Sequence, residues 1–282
     1  MSGWEQLAVL VAGMAAGTMN TIVGSGTLIT FPVLVLLGVP PLTANVSNTV
    51  GLVPGSVSGA IGYRRELVGQ WPTARALAAA GGVGGLLGGV LLLSLPSATF
   101  DAIVPVLILL ALAGVLAQPH LAATLARRRA LQTGADRPSA DPPTEAPTDV
   151  PTEAPIESPT DSSSRSSWPL RLGVGMTGVY GGYFGAAQGV ILLAMLGIAM
   201  PDDLQRNNAV KNVVAAVVNG VAAILFIVVA DVDWHIALLV ALGSVVGGQV
   251  GARVGRRLSP PTLRTVIVVV GLLAVVRLLW PQ

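Results

Sequence analysis

Residues 17–37 read GTMNTIVGSGTLITFPVLVLL, and this stretch decides the fold. It joins the end of an apolar segment that begins near Trp4 to a short apolar piece from Thr27 to Leu37. A membrane-spanning helix needs about 20 mostly apolar residues, so the short piece is too short to span a bilayer comfortably. Between the two lies Gly24-Ser25-Gly26, where glycine permits a tight turn. The stretch predicts a helix interrupted within the membrane, although one such break alone also fits a simple kink or packing contact.

The chain carries this pattern a second time. Trp168 to Phe184 is apolar and glycine-rich, residues 185–189 (GAAQG) break it, and a short piece continues to Met200. The other apolar segments have full membrane-spanning length, and they lie at about Thr43–Tyr63, Pro72–Leu95, Thr99–Ala117, Asn208–Ala230, Trp234–Val254 and Thr262–Trp280.

Composition supports a membrane protein and excludes several other classes. Apolar residues make up 52% of the 282 and charged residues only 11%, whereas soluble domains are about 25% charged. The absence of cysteine excludes disulfides, thiolate metal sites and cysteine nucleophiles. A net charge of +2 is too small to indicate a nucleic-acid partner. No Lys or Arg precedes the first apolar run, so we expect a true membrane segment there and not a signal peptide.

One segment breaks the apolar pattern completely. Residues 132–167 are acidic and rich in Pro, Ser and Thr, with the run PPTEAPTDVPTEAP starting at residue 142. Such a composition cannot bury enough apolar surface to offset the entropy of ordering. We therefore predict three regions: a first membrane repeat (1–131), a disordered linker (132–167) and a second membrane repeat (168–282).

The two membrane regions match each other at an offset of 162 to 163 residues, in several motifs that keep the same order. The matches pair Gly24-Ser25-Gly26 with Ala187-Gln188-Gly189, Asn45 with Asn208, Asn48 with Lys211, and Gly81, Gly85 and Gly89 with Gly243, Gly247 and Gly251. The predicted fold is an all-α integral membrane protein with two repeats, each containing one broken, re-entrant helix pair and three spanning helices.

Arginine clusters predict the orientation in the membrane, because cytoplasmic loops are enriched in Lys and Arg. The clusters follow the second, fourth and seventh long segments, at residues 64–75, 127–129 and 253–264. They fall on one side if each broken segment makes no net crossing of the bilayer, or two. Each half then crosses an odd number of times, which gives the two repeats inverted topology. We expect a multi-pass protein of the cell membrane with a cytoplasmic linker and both termini external. Inverted repeats with broken helices are a recurring plan of secondary transporters.

The breaks and the segments that follow them carry the candidate site. Helix N-termini present unpaired N–H groups and positive dipole, which suit an anion. Each following segment begins with polar residues three or four apart, which share one helix face. Lys211, the only lysine in the chain, is either a ligand for an oxyanion or a side chain that extends to the membrane surface. The predicted substrate contacts are Ser25, Gly26, Thr27, Asn45, Asn48, Thr49, Gln188, Gly189, Asn208, Lys211 and Asn212.

Three of these stretches resemble the sulfite exporter TauE/SafE family of membrane permeases. They are the Gly17–Gly26 break with Pro32 in the short helix, PPLTANVSNT from Pro40, and GAIGYRR from Gly59. The resemblance extends over nearly all of the chain outside the linker and implies a permease for sulfite, a sulfonate such as sulfoacetate, or a related small organic anion. The family commonly has three successive glycines at the break, where this chain has Gly24-Ser25-Gly26, so the substrate stays open.

The leading hypothesis is a secondary transporter that carries a small anion by alternating access between the two repeats. A membrane scaffold or assembly factor is an alternative, and an intramembrane serine hydrolase using Ser25 is a third. We predict no enzymatic activity, no metal and no cofactor. The expected partners are the small anion and the lipid bilayer, and a homo-oligomer is possible. Transport direction and coupling ion are open.

Overall fold

The computed structural model describes residues 1–135, 168–200, 203–254 and 260–279, and all the regular structure in these ranges is helical. The ten helices are α1 (Gly3–Ile22), α2 (Thr27–Leu36), α3 (Pro41–Gly62), α4 (Trp71–Ser94), α5 (Ser97–Ala135), α6 (Trp168–Tyr183), α7 (Gln188–Ala199), α8 (Leu204–Val229), α9 (Trp234–Val254) and α10 (Pro260–Leu279).

Both predicted breaks are present, and a glycine produces each of them. Gly24 adopts φ +85° after α1, and Gly185 adopts φ +76° after α6. This left-handed backbone is favourable for glycine and costs other residues energy, so the helix ends there. The next helices, α2 and α7, have 10 and 12 residues, which is half the length of a membrane span.

Four helices in the described part of the chain are long and apolar enough to cross a membrane: Trp71–Ser94, Ser97–Ala117, Leu204–Val229 and Trp234–Arg253. The predicted all-α integral membrane class is therefore confirmed. Helix α5 continues to Ala135 and so includes the first four residues of the predicted linker, and residues 136–167 lie outside the described part. The disorder predicted for the linker thus stays a prediction.

Helices of the first half pack mainly on helices of the second. The most extensive contacts are those of α1 with α9 and of α6 with α4. In addition, α3 packs on α9 and α8 packs on α4. The short helices follow the same rule, since α2 packs on α10 and α7 packs on α5. Each of these contacts has a counterpart in which the two halves exchange places. This arrangement is expected if the two halves are interlocked copies of one five-helix unit. The opposite orientation of the two units in the bilayer stays a prediction.

Glycines allow the backbones of α1 and α9, and those of α4 and α6, to approach each other closely. A Cβ atom on Gly84 of α4 would lie 2.0 Å from the carbonyl oxygen of Gly175 on α6. A Cβ atom on Gly247 of α9 would likewise lie 2.0 Å from the carbonyl oxygen of Met14 on α1. Small residues at such crossings are typical of membrane helix pairs, because close backbone packing drives their association.

Candidate functional site

The two breaks meet in the middle of the molecule. The Gly189 N–H at the start of α7 donates a 2.9 Å hydrogen bond to the Gly24 carbonyl oxygen. A Cβ atom on Gly24 would lie 2.2 Å from the Gly189 Cα atom, so the two backbones are in direct contact. Phe184, just before the second break, packs edge-on against Phe31 of α2, with ring centroids 5.1 Å apart. The interruptions therefore form one junction.

In the structure, the two breaks superpose at a different residue offset from the one that the sequence alignment gave. Gly24 N–H bonds to the Met19 carbonyl (2.9 Å), and Gly185 N–H bonds to the Tyr180 carbonyl (3.1 Å). These equivalent glycines stand 161 residues apart, from 24 to 185, and not 163. The sequence alignment followed the later glycines of each break, but the backbone turn is made by the earlier ones. Structurally, Thr27 is thus the counterpart of Gln188, and Ser25 is the counterpart of Ala186.

In the first half, hydroxyls and an amide form a polar cluster between α2 and α3. The Asn48 Nδ2 donates to the Thr27 Oγ1 at 3.4 Å, and the Thr30 hydroxyl donates to the Asn48 Oδ1. Next to Asn48 on α3, the Thr49 Oγ1 donates back along the helix to the Asn45 carbonyl oxygen at 2.9 Å. The Asn45 Nδ2 donates across to the other half, to the Tyr183 carbonyl oxygen at the end of α6, at 3.0 Å.

In the second half, α8 carries a polar stripe of Asn208, Lys211 and Asn212, which faces the end of α1. The Lys211 Nζ donates to the Asn20 carbonyl at 2.9 Å and to the Thr21 carbonyl at 3.2 Å. The Nδ2 atoms of Asn208 and Asn212 each donate to the same Thr21 oxygen at 3.2 Å. The C-terminus of a helix carries partial negative charge, so a cation is stabilised there. Lys211 is 0% exposed, so its side chain does not extend to the membrane surface.

All eleven predicted site residues are buried, whichever half they belong to. Ser25 and Lys211 are 0% exposed, and Thr27 and Thr49, the most accessible of the side chains, are 8% exposed. A solute can therefore reach this cluster only if the surrounding elements move apart.

Several buried polar atoms of the cluster lack a hydrogen-bond partner within the described part of the chain. Such atoms cost free energy unless a ligand or water satisfies them. They belong to predicted and unpredicted residues alike: Ser25 Oγ, Gln188 Nε2, Asn45 Oδ1, Asn208 Oδ1, Thr21 Oγ1 and the Tyr183 hydroxyl.

The structure adds four residues that sequence reasoning missed. Asn20 and Thr21 supply the carbonyls for Lys211, Tyr183 supplies the carbonyl for Asn45, and Thr30 binds Asn48. The signal for three of them was present, because they occupy the last turn before a break, where helix carbonyls have no intrahelical partner.

The cluster shows no arrangement for hydrolysis or for metal binding. The Ser25 Oγ has no hydrogen-bond partner among the described residues, whereas a serine nucleophile requires a base within reach. In the same part of the chain, no group of three or more His, Cys, Asp or Glu residues could hold a metal ion. His235 lies exposed at the start of α9, and the side chain of His120 is not among those described.

The chain is similar to a known protein family and to a curated relative. A family model described as "Sulfite exporter TauE/SafE" matches residues 9–278. A curated relative from Sinorhizobium sp., named "Probable membrane transporter protein ORF9", is 33% identical over 105 residues. That match covers 36% of this chain and 39% of the relative, so the aligned part is well under half of either protein. No solved structure shows a significant match.

Proposed function

The chain belongs to the sulfite exporter TauE/SafE family, and on that premise we propose that it carries a small oxyanion such as sulfite or a sulfonate across the membrane. The substrate binds at the junction of the two breaks, within the cluster around Lys211. The residues predicted from the sequence serve as its contacts, together with the Thr21 hydroxyl.

The single observation that carries this proposal is the environment of Lys211. Its side chain is completely buried, and among the described residues its hydrogen-bond partners are two neutral carbonyl oxygens. An ammonium group has three N–H donors, so one remains after these two bonds. A charge inside a membrane protein is usually paired and marks a substrate path. A bound oxyanion supplies the missing negative partner through a charge-assisted hydrogen bond.

Unpartnered buried donors at and just before the two breaks favour an oxyanion over a purely apolar solute. The unpartnered Nε2 of Gln188 and hydroxyls of Ser25 and Thr21 are buried donors. An amide and hydroxyls can each donate to one oxygen of a tetrahedral anion. A neutral apolar substrate would leave these donors unsatisfied, which costs about 1–3 kcal/mol for each.

The way the halves interlock supports a mechanism of alternating access. Each half packs its long helices on the other, and the junction of the breaks is the point where both short helices begin. Rocking one unit against the other opens the buried cluster to one side at a time, as inverted-repeat transporters do. The structure described here corresponds to a state in which the cluster is closed.

Flux measurements in proteoliposomes test the proposal. Purified protein is reconstituted, and uptake of sulfite, sulfoacetate and thiosulfate is compared with protein-free liposomes. We expect uptake of at least one of these anions. Lys211→Gln, which removes the charge at nearly the same length, should lower its flux roughly 10- to 100-fold, the effect of losing one charge-assisted bond of about 1.5–3 kcal/mol.

Two controls separate transport chemistry from folding. Lys211→Arg keeps the charge and should retain more flux than Lys211→Gln. Arg206→Gln alters a nearby basic residue whose side chain reaches the Val68 carbonyl in a surface loop, and it should leave flux near wild type. No flux of any small anion by well-folded wild-type protein, or equal flux in Lys211→Gln, would contradict the proposal.

A further inference from the structure

A cavity of about 360 Å³ lies between the end of α3 and the end of α9, away from the buried cluster. Its described lining consists of Gly62, Arg64, Arg65, Gln249, Ala252 and Arg253. Two arginine clusters that are far apart in sequence therefore meet at one surface. The predicted topology assigns both clusters to the cytoplasmic side.

The charged side chains in the described lining of this cavity are all positive. The lining contains three guanidinium groups and no carboxylate among the described residues. Arg64, Arg65 and Arg253 are exposed at its rim. Guanidinium groups present planar pairs of N–H donors that match the oxygens of sulfur and phosphorus oxyanions. Three of them around one concave site therefore favour a doubly charged or tetrahedral anion.

The cavity walls are held rigidly by the contact between α3 and α9. The Gln249 Nε2 donates to both the carbonyl oxygen and the hydroxyl of Ser58, at 2.9 Å in each case. Gly62 lies directly against Ala252, since a Cβ atom there would be 2.3 Å from the Ala252 Cβ. Arg253 lies on α9, and Arg64 and Arg65 lie in the turn that directly follows α3, so the contact between these helices brings the three arginines together.

Thr21 connects helix residues next to this cavity with Lys211. Gly59, one turn before Gly62, packs against the Thr21 hydroxyl, and Gly251, next to Ala252, packs against the Thr21 Cβ. The carbonyl of this same Thr21 accepts the hydrogen bond from Lys211. The Thr21 hydroxyl is buried and has no hydrogen-bond partner in the described ranges of the chain. The order along this line is therefore arginine cavity, Thr21, Lys211.

We propose that the cavity of Arg64, Arg65 and Arg253 is a second oxyanion-binding site, at the mouth of the route that leads past Thr21 to Lys211. This deepens the proposed function, on which its place in a transport route rests. The shared ligand chemistry is a sulfate- or phosphate-like group, which either the soluble anion or the headgroup of an acidic lipid can supply.

Equilibrium binding of radiolabelled inorganic sulfate to the purified full-length protein in detergent tests the site without requiring transport. The triple variant Arg64→Gln/Arg65→Gln/Arg253→Gln should bind sulfate at least roughly 10-fold more weakly, since it loses charge-assisted bonds. Arg75→Gln is the matched control, because Arg75 lies 5.7 Å over the Trp71 ring, outside the cavity lining, and its loss should leave binding unchanged.

A second arm identifies the source of the anion. Native mass spectrometry on protein from phosphatidylglycerol-containing liposomes compares retained lipid in wild type and in the triple variant. Arginine-dependent sulfate binding, with a raised KM for flux in the triple variant, assigns the site to the soluble anion. Arginine-dependent retention of phosphatidylglycerol with unchanged KM assigns it to the headgroup. If the triple variant binds sulfate and retains lipid as wild type does, the proposal is overturned, and this result is independent of whether the protein transports anions.

Discussion

The first and second breaks share a glycine turn but differ in the backbone two residues later, where Gly26 has φ −58° and Ala187 has φ +61°, and in their polar side chains. Each contains a glycine with positive φ, Gly24 or Gly185, followed by a helix of half the membrane thickness. At the first helix residue, however, the first half has Thr27 and the second has Gln188. Each turn is followed by a short helix that packs on the other half. The breaks therefore share this turn, while their polar groups differ.

The polar stripes differ in the same way. Asn48 binds hydroxyls of the short helix in its own half, and Lys211, its sequence counterpart, binds carbonyls at the end of α1 in the other half. The site is thus asymmetric, although the helices around it are arranged symmetrically. A charge on one side only would give the proposed anion a single preferred position, which two equal half-sites would not provide.

The largest expected effect tests the contact between the breaks. Gly24, Gly185 and Gly38 share nearly the same φ, at 85°, 76° and 84°, but differ in what a Cβ atom would meet. At Gly24 it would lie 2.2 Å from the Gly189 backbone, at Gly185 it would lie 3.0 Å from the Gly181 carbonyl, and at Gly38 nothing is within 4 Å.

Replacing each of these glycines by alanine should cost the shared strain of about 1–2 kcal/mol. Gly24→Ala should cost about 1–3 kcal/mol more, because the overlap is with backbone that cannot rotate away. Thermal unfolding in detergent should therefore rank the variants Gly24 lowest, Gly185 intermediate and Gly38 closest to wild type. Equal losses at Gly24 and Gly38 would mean that the two breaks are not in contact.

The next test concerns the two long helix contacts, which the structure describes as equivalent. Gly84→Ala and Gly247→Ala each place a methyl group 2.0 Å from a carbonyl oxygen of the partner helix. We expect similar losses of about 1–3 kcal/mol in both, because the helices must separate. Gly220→Ala, with open space at its Cβ, is the helical control and should be neutral or stabilising by about 0.5–1 kcal/mol. A large difference between Gly84 and Gly247 in unfolding temperature would show that the halves do not pack equivalently.

The smallest expected effect concerns two asparagines that each donate to a carbonyl at a helix end: Asn45 at the end of α6 and Asn208 at the end of α1. Asn45→Leu removes the hydrogen bond to the Tyr183 carbonyl, which should cost about 1 kcal/mol. Asn208→Leu should cost less, about 0.5 kcal/mol or below, because the Thr21 carbonyl keeps the bonds from Lys211 and Asn212. The same unfolding measurement checks both variants. A greater loss in Asn208→Leu would indicate that Lys211 does not bind Thr21 in solution.

Sequence reasoning predicted the breaks and the polar stripes well, because both are local properties. A half-length apolar run next to glycines reveals a broken helix, and amides spaced by three or four residues reveal one face. The register of the second break was wrong, since matching Gly26 with Gly189 ignores which glycine makes the turn. The partners of Asn45 and Lys211 were missed because they are carbonyls more than 130 residues away in the chain.

The sequence by itself determined that this is a membrane protein of long and broken helices, because hydropathy and glycine placement act within each segment. Only the tertiary structure decided that the breaks touch, that Lys211 binds the end of α1, and that Arg64, Arg65 and Arg253 share a cavity. These facts depend on which helix lies against which, and that pairing follows from close glycine contacts between distant parts of the chain.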